Sequence, residues 1–382
     1  GNSFGGSNPS PSAIILLKNL YLFQNIYYKT FMTLEIDTSK PVLVTGSTGF
    51  VGGWIAKSLI EKGITVHAPV RDAQNDEKLK SLKEISNKED GNILFFEANL
   101  MEPKSYDKAM ADCEIVFHVA SPFLYKFNDA QKDLINPAVE GTKNVLDSVN
   151  RIKTVKKVII TSSCAAIFGD HIDIQNVPNK ILTEAVWNTT STVDHQPYSY
   201  SKVLAEKLAW DIEEKQNRWK LIVINPALVL GPSLSGKSTS ASHELIKQLG
   251  DGRSKAGCPK FEIGMVDVRD VADAHVNAAY MDNINGRHIV YNEVSSFLSL
   301  SKMLQEKYPQ LPLPKKELPK AMVWLIAPLI DKSITRKMIS RCMGYSWNAD
   351  NQKAIKSLDL KYRPIKESIQ EMFQQLIDQE ES

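Results

Sequence analysis

No two of the four cysteines form a CxxC pair; Cys113, Cys164, Cys258 and Cys342 stand far apart. That spacing excludes a zinc ribbon, argues against a disulfide framework and favours a reducing compartment. No HExxH occurs either, because the stretch HELIK at His243 lacks its second histidine, so no metal site is expected. Charge of one sign is not in excess: Lys+Arg 46 against Asp+Glu 44 leaves a net +2. Such a balance gives no long-range field that would argue for nucleic acid or membrane. An unbroken run of the roughly 18 apolar residues needed for a spanning helix is missing, and no internal repeat is visible. What is present, at 43% hydrophobic and 24% charged over 382 residues, is an ordinary soluble globular composition with room for one large or two smaller domains.

Residues 1–40 differ from the rest. GNSFGGSNPSPS is low-complexity, and AIILLKNLYLFQNIYYKTF is apolar but broken by Lys18, Asn19, Asn25 and Lys29. Three origins stay open for this extension. It reads as an organellar presequence by its absence of acids before Glu35 and against one by its lack of arginine; as a surface-lying anchor; or as a residue of cloning or translated upstream sequence. The last is favoured because the chain does not begin with Met and Met32 sits close to the first strand. A cytoplasmic location is expected, with organellar targeting by residues 1–40 as the alternative.

From Pro41 onward, short β-branched runs (PVLVT, ITVHAPV, ILFF, EIVFHVA, KKVIITSS) alternate with helical-period segments such as FVGGWIAKSLIEK and AVEGTKNVLDSVN. This alternation predicts an α/β fold, a Rossmann-type doubly wound parallel sheet covered on both faces. After KLIVINPALVLGP the texture shifts to prolines and longer loops. The expected division is therefore 41–230 as the nucleotide-binding domain and 231–382 as a mainly substrate-binding region, some of whose segments return to the sheet. Ligands should bind at the carboxyl ends of the strands.

Two phosphate motifs compete. GPSLSGKS at 231–238 matches GxxxxGK(S/T) and would suit a P-loop NTPase. However, Pro232 removes one N–H donor and no convincing magnesium-binding strand accompanies it, the nearest being GMVD at Asp267. TGSTGFVG is better placed, opening the first βα unit with Gly46, Gly49 and Gly52. These glycines allow a tight bend, close approach of a pyrophosphate and close helix packing. Where an NAD site usually has an acid about 20 residues on, this chain has Arg71, followed by Lys78. Cations there suit a 2′-phosphate, so NADP(H) is expected over NAD, although Asp72 stands next door.

YSYSK places Tyr198 and Lys202 four residues apart on one helical face. A neighbouring ammonium should lower the phenol's pKa and fit it for proton transfer to a carbonyl oxygen. The sequence TSS ends the fifth strand at the functional edge of the sheet, where either Ser162 or Ser163 could hold that oxygen.

The motifs TGSTGFVG, HAPVRD, FHVASP, EGTKNVL, VIITSS, YSYSKVLAEK, NPALVLGP and VDVRDVADAH span Pro41 to roughly Leu376. Together they resemble the extended short-chain dehydrogenase/reductases, most closely the group of dihydroflavonol reductases, cinnamoyl-CoA reductases and microbial aldehyde or ketone reductases. The resemblance implies a catalytic triad of Ser163, Tyr198 and Lys202, with Tyr198 as general acid in reduction. It implies that the backbone of Gly46, Gly49, Phe50, Val51 and Gly52 meets the pyrophosphate, and that Arg71 and Lys78 meet the 2′-phosphate. It also implies Asn99 and Leu100 beside the adenine, Val119, Ala120 and Ser121 along the cofactor channel, and Pro226, Ala227, Leu228 and Val229 beside the nicotinamide.

Two departures bear on substrate and cofactor. EANL puts the amide of Asn99 where the family commonly has Asp, and HQPYSYSK replaces the NWYCYGK of cinnamoyl-CoA reductases. A free aldehyde or ketone is accordingly expected ahead of a CoA thioester, and FLYKF and AMVWLIAPLI lean the pocket towards an apolar compound. His275 is expected to pack a helix at the domain junction. The expected protein is an NADPH-dependent carbonyl reductase, a monomer or homodimer with a small-molecule substrate, no nucleic acid and no stable membrane insertion. A sugar-nucleotide epimerase or dehydratase retaining NAD, a dinucleotide-binding sensor without turnover, and the P-loop NTPase are the alternatives.

Overall fold

The structure, a computed structural model, describes residues 36–121, 127–235, 240–331 and 333–381. Expectations resting on residues 1–35, on Phe123 to Lys126 of FLYKF and on Lys237 lie outside the described residues.

Six strands alternate with five helices in the first part of the chain. In order these are β1 (Val42–Thr45), α1 (Phe50–Glu61), β2 (Val66–Val70), α2 (Asp76–Ser86), β3 (Ile93–Glu97), α3 (Asp107–Met110), β4 (Ile115–His118), α4 (Asn136–Arg151), β5 (Lys157–Thr161), α5 (Pro197–Glu213) and β6 (Lys220–Pro226). Local chemistry sets several of their ends. Asn75 caps α2 by accepting the Lys78 N–H, with Asp76 and Glu77 in the first turn, and Pro197 supplies the preset φ that opens α5.

The chain continues through β7 (Leu228–Leu230), α6 (Ala241–Gly250), β8 (Cys258–Pro259), β9 (Glu262–Asp267), α7 (Val268–Tyr280) and β10 (Gly286–Val290). It closes with β11 (Glu293–Ser296), α8 (Phe297–Lys307), β12 (Glu317–Leu318), α9 (Lys320–Ile330), α10 (Arg336–Cys342), α11 (Gln352–Ser357) and α12 (Ile365–Glu381).

Seven strands form the main sheet in the order β10-β6-β5-β4-β1-β2-β3, all parallel. The order reverses between β1 and β4, and that switch point is where an open α/β sheet leaves a crevice at the strands' carboxyl ends. Successive residues of each strand feed opposite faces, as a pleated strand must. Val44, Phe117, Ile159 and Ile222 join Ile55 and Leu59 of α1 and Val271 of α7 on one side. Leu43, Val116, Val158 and Val223 join Val145 and Val149 of α4 and Ala209 of α5 on the other. Both faces are dry, which explains why these strands read as nearly continuous apolar runs.

The apolar run 220–230 makes two strands. β6 ends at Pro226, which has no N–H to extend the ladder, and the Ala227 N–H turns to the Val290 carbonyl. β7 then pairs with β9 in a separate three-stranded sheet, β11-β9-β7. Around that sheet Leu230, Met265, Leu304 and Ile369 gather α6, α8 and α12 into a second core. Two later segments lie on the first body: α7 packs beside α1, and β10 forms the sheet's far edge. All four cysteines are buried and free. Among the described residues no three metal-binding side chains cluster, and no helix is long and apolar enough to cross a membrane.

Candidate active site

The turn after β1 is built by close approach. Gly46 has φ +68°, a left-handed conformation that side chains disfavour. A Cβ on Gly52 would lie 2.2 Å from the Gly46 carbonyl oxygen, so only glycine lets α1 start this near the strand. Gly49 caps α1 without a side-chain bond, and the helix therefore offers its first N–H groups, from Phe50 onward, to an anion at the crevice. Phe50 packs its ring edge-on to His243 and Val51 lies against the core, so both contribute to the turn through backbone.

The neighbouring β4 end is pinned to this turn. Thr45 Oγ1 accepts the N–H groups of Val119 and Ala120, each at 3.0 Å, and stands 3.1 Å from His118 Nδ1. A hydroxyl already accepting two donors gives its own proton to Nδ1, leaving Nε2–H to face Thr142 Oγ1 at 3.3 Å. Burial, with the nearby charge of Lys202, pushes His118 down to about 3 and keeps the ring neutral. Val119, Ala120 and Ser121 are thereby held half-buried along the crevice.

Arg71 and Lys78 stand exposed beyond β2 and on α2, and neither side chain is tied to another described residue. Asp72 is turned into its own loop, where it accepts the Gln74 N–H at 2.9 Å. Asn99 is engaged locally: its Oδ1 accepts the Met101 N–H and its Nδ2 donates to Glu102 Oε1, both at 3.0 Å. Leu100 sits on α4, where a Cβ at Gly141 would lie 2.4 Å from its Cγ. Pro226 is buried at the end of β6, with Ala227, Leu228 and Val229 half-buried after it.

Ser163, Tyr198 and Lys202 meet at the carboxyl end of β5. The Tyr198 phenol is hydrogen-bonded to the Ser163 side chain, and Lys202 Nζ lies 5.9 Å from the Tyr198 ring centre. Ser162 points elsewhere, donating to Glu206 Oε2 at 2.5 Å. The expected lowering of the phenol does not occur. Burial pushes Tyr198 up to about 12, opposed by the Ser163 hydrogen bond. Burial equally pushes Lys202 down to about 8, opposed by the Glu206 carboxylate. Loss of water outweighs the Ser163 hydrogen bond, so at neutral pH the phenol keeps its proton and Lys202 is largely charged.

Beneath this group lies a buried network the sequence reading passed over. Glu206 is 1% exposed; Asn225 Nδ2 donates to its Oε2 at 2.9 Å and Arg287 Nε to its Oε1 at 2.6 Å. Arg287 also donates Nη1 to the carbonyls of Glu184 and Val186, and lies 3.9 Å over the Trp187 ring. Asn225 donates as well to the Ser163 carbonyl. The spacing 198, 202, 206 on one helix was the available signal for Glu206. Nothing local marked Arg287, which arrives on β10.

GPSLSGKS follows β7 rather than a strand of the main sheet. The Pro232 carbonyl accepts from Trp54 Nε1, and the Ser233 N–H donates to Gln375 Oε1 on α12. The next helix opens only at Ala241. The described part of the motif, residues 231–235, thus engages α1 and α12, and residues 236–238 lie outside the described residues. His275 is fully buried, donating Nδ1–H to the Val271 carbonyl and accepting at Nε2 from the Thr161 hydroxyl. On the C-terminal side, Phe168, His171, Phe261 and Phe297 form a chain of ring contacts, His171 to Phe261 being the closest at 4.5 Å.

The family model described as the NAD dependent epimerase/dehydratase family matches residues 42–292. The chain is 31% identical over 341 residues to a cinnamoyl-CoA reductase of Medicago truncatula, covering 88% of this chain and 95% of that one. It is 34% identical over 283 residues to an anthocyanidin reductase of Vitis vinifera, covering 72% and 83% respectively. Yeast methylglyoxal/isovaleraldehyde reductase Gre2, solved with NADPH, is similar with a TM-score of 0.73 and 28% identity, over 89% of this chain and 99% of that one.

Truncating Glu206 strands a buried guanidinium. Glu206→Ala is expected to lower stability by about 3–5 kcal/mol, with Glu206→Ala/Arg287→Met recovering part of the loss, as read by chemical denaturation. Equal stability of wild type and Glu206→Ala would contradict the pairing.

Proposed function

Because the chain belongs to the NAD dependent epimerase/dehydratase family, we propose that it is an NADPH-dependent reductase acting on the carbonyl of an aldehyde or ketone. The observation that carries this reading is the meeting of Ser163, Tyr198 and Lys202 beside the glycine turn, at one edge of one sheet. NADPH, when bound, supplies the hydride. The glycine cradle fits its pyrophosphate, since a Cβ at Gly52 would fill the space that the turn needs. Gly46, Gly49, Phe50, Val51 and Gly52 hold the phosphates through backbone, and Arg71 and Lys78 meet the 2′-phosphate. Leu100 borders the adenine, with Asn99 beside it once its local bonds rearrange. Val119 to Ser121 and Pro226 to Val229 line the path to the nicotinamide.

Ser163 orients the carbonyl oxygen by hydrogen bonding, and Tyr198, protonated because its phenol is held near 12, gives that oxygen its proton. Lys202, charged below about 8, holds the nicotinamide ribose and stabilises the phenolate left behind. Residues 231–382 mainly supply the substrate side, where the stacked rings of Phe261 and Phe297 favour an apolar compound, while α7 and β10 complete the first body. The similarity to reductases, one of them solved with NADPH, supports reduction over epimerisation, and so does Arg71 where an NAD enzyme needs an acid. The absence of NWYCYGK supports a free carbonyl over a CoA thioester. A reducing, cytoplasmic compartment fits the free thiols.

Tyr198→Phe is expected to lower kcat for an aldehyde about 10²–10⁴-fold while NADPH affinity stays unchanged. Full turnover in that variant, or none in the wild type across a panel of aldehydes and ketones, would contradict the assignment. Arg71→Ala should weaken NADPH binding about 10-fold or more and leave NADH binding unaltered; an equal effect on both would remove Arg71 from the 2′-phosphate.

A further inference from the structure

Of the large apolar side chains exposed among the described residues, six lie on the single helix α9: Met322, Trp324, Leu325, Ile326, Leu329 and Ile330. Leu329 and Ile330 are 77% and 82% exposed, and only Val323 of this helix is buried, packing on Ile339 and Met343 in and after α10. A bare apolar helix of this kind marks a contact surface rather than a stray surface residue. Its surroundings are basic. Exposed Lys315, Lys316 and Lys320 precede it or begin it, and exposed Arg336 and Lys337 follow on α10. Against these five cations stand only Glu317 and Asp331, both half-buried. Arg336 lies 4.9 Å over the Trp324 ring, which puts a cation on the apolar face itself.

We propose that α9 docks this protein onto an anionic phospholipid surface. Apolar side chains enter the acyl boundary while lysine and arginine stems reach back to phosphate and carboxylate headgroups. A Trp paired with an Arg suits the headgroup level, where an amphipathic ring sits with its polar partner in reach. At 11 residues, about 16 Å long, the helix is too short to cross a hydrocarbon core of about 30 Å, so it lies in the interface. Charge also selects against a second copy of the chain. A two-fold contact through α9 is self-complementary and would set the five cations of one protomer against those of the other. The chain's net charge of +2 conceals this patch, because the balancing acids lie elsewhere.

The full chain is sedimented with vesicles of phosphatidylcholine alone and with vesicles of phosphatidylcholine and phosphatidylserine in equal parts, at low and high salt. Binding is expected to the second vesicle and to fall with salt. Leu329→Glu/Ile330→Glu should weaken it at least about tenfold while the melting temperature stays unchanged. Lys315→Glu/Lys316→Glu should remove the preference for phosphatidylserine. Failure to bind either vesicle, or a Leu329→Glu/Ile330→Glu variant that sediments as wild type does, would overturn the proposal. So would self-association in vesicle-free buffer that this variant abolishes, which would assign the face to a second copy.

Discussion

A carboxylate with almost no access to water sits where one helix meets three strands, and the edge where Ser163 meets Tyr198 is organised around it. Glu206 of α5 receives Ser162 from the end of β5, Asn225 from β6 and Arg287 from β10. An ionised group in that position is costly unless its charge and its lone pairs are satisfied. Here Arg287 satisfies Oε1 and supplies the countercharge, Ser162 and Asn225 satisfy Oε2, and the arginine is itself held by two carbonyls and the face of Trp187. The requirement constrains the backbone as well. Asn225 bridges Glu206 to the Ser163 carbonyl, so the serine that faces Tyr198 is positioned by the same network that neutralises the buried charge.

This network explains why residues 231–382 do not form an independent unit. The countercharge for a residue in α5 comes on β10, after the chain has built a second sheet and α7. Likewise α7 lies beside α1, with Arg269 held by Asp267 and stacked near Trp54. The two sheets therefore share a framework in which neither is complete alone. α9 is the exception: among the described residues its buried side rests on α10 and the segment after it, and its other large apolar side chains are exposed.

Much of the first body was legible in the sequence, since strands buried on both faces must be apolar and the helices between them must carry a periodic stripe. The glycine turn, Ser163, Tyr198 and Lys202 were legible because each lies at a strand end or on one helical face in a recognisable order. Three things were not. The break of the 220–230 run depends on β7 pairing with β9 and not with a strand of the main sheet, a contact made far along the chain. Arg287 has no local signature as a partner of Glu206. The direction of the Tyr198 shift depends on how dry the phenol is, and spacing to Lys202 says nothing about that. The phenol rises, which suits a proton donor better than the lowered value that spacing suggests.

Glu206 both orders the edge where Ser163 meets Tyr198 and keeps Lys202 charged. The dependence of kcat/KM on pH for reduction, measured in the wild type and in Glu206→Gln, tests this most directly. In the wild type the rate should fall as pH rises through about 8, where Lys202 loses its proton. The amide removes the charge that holds Lys202 up, so the falling limb should move to lower pH in the variant. A limb that stays in place, or a wild-type rate that does not fall across this range, would contradict the account.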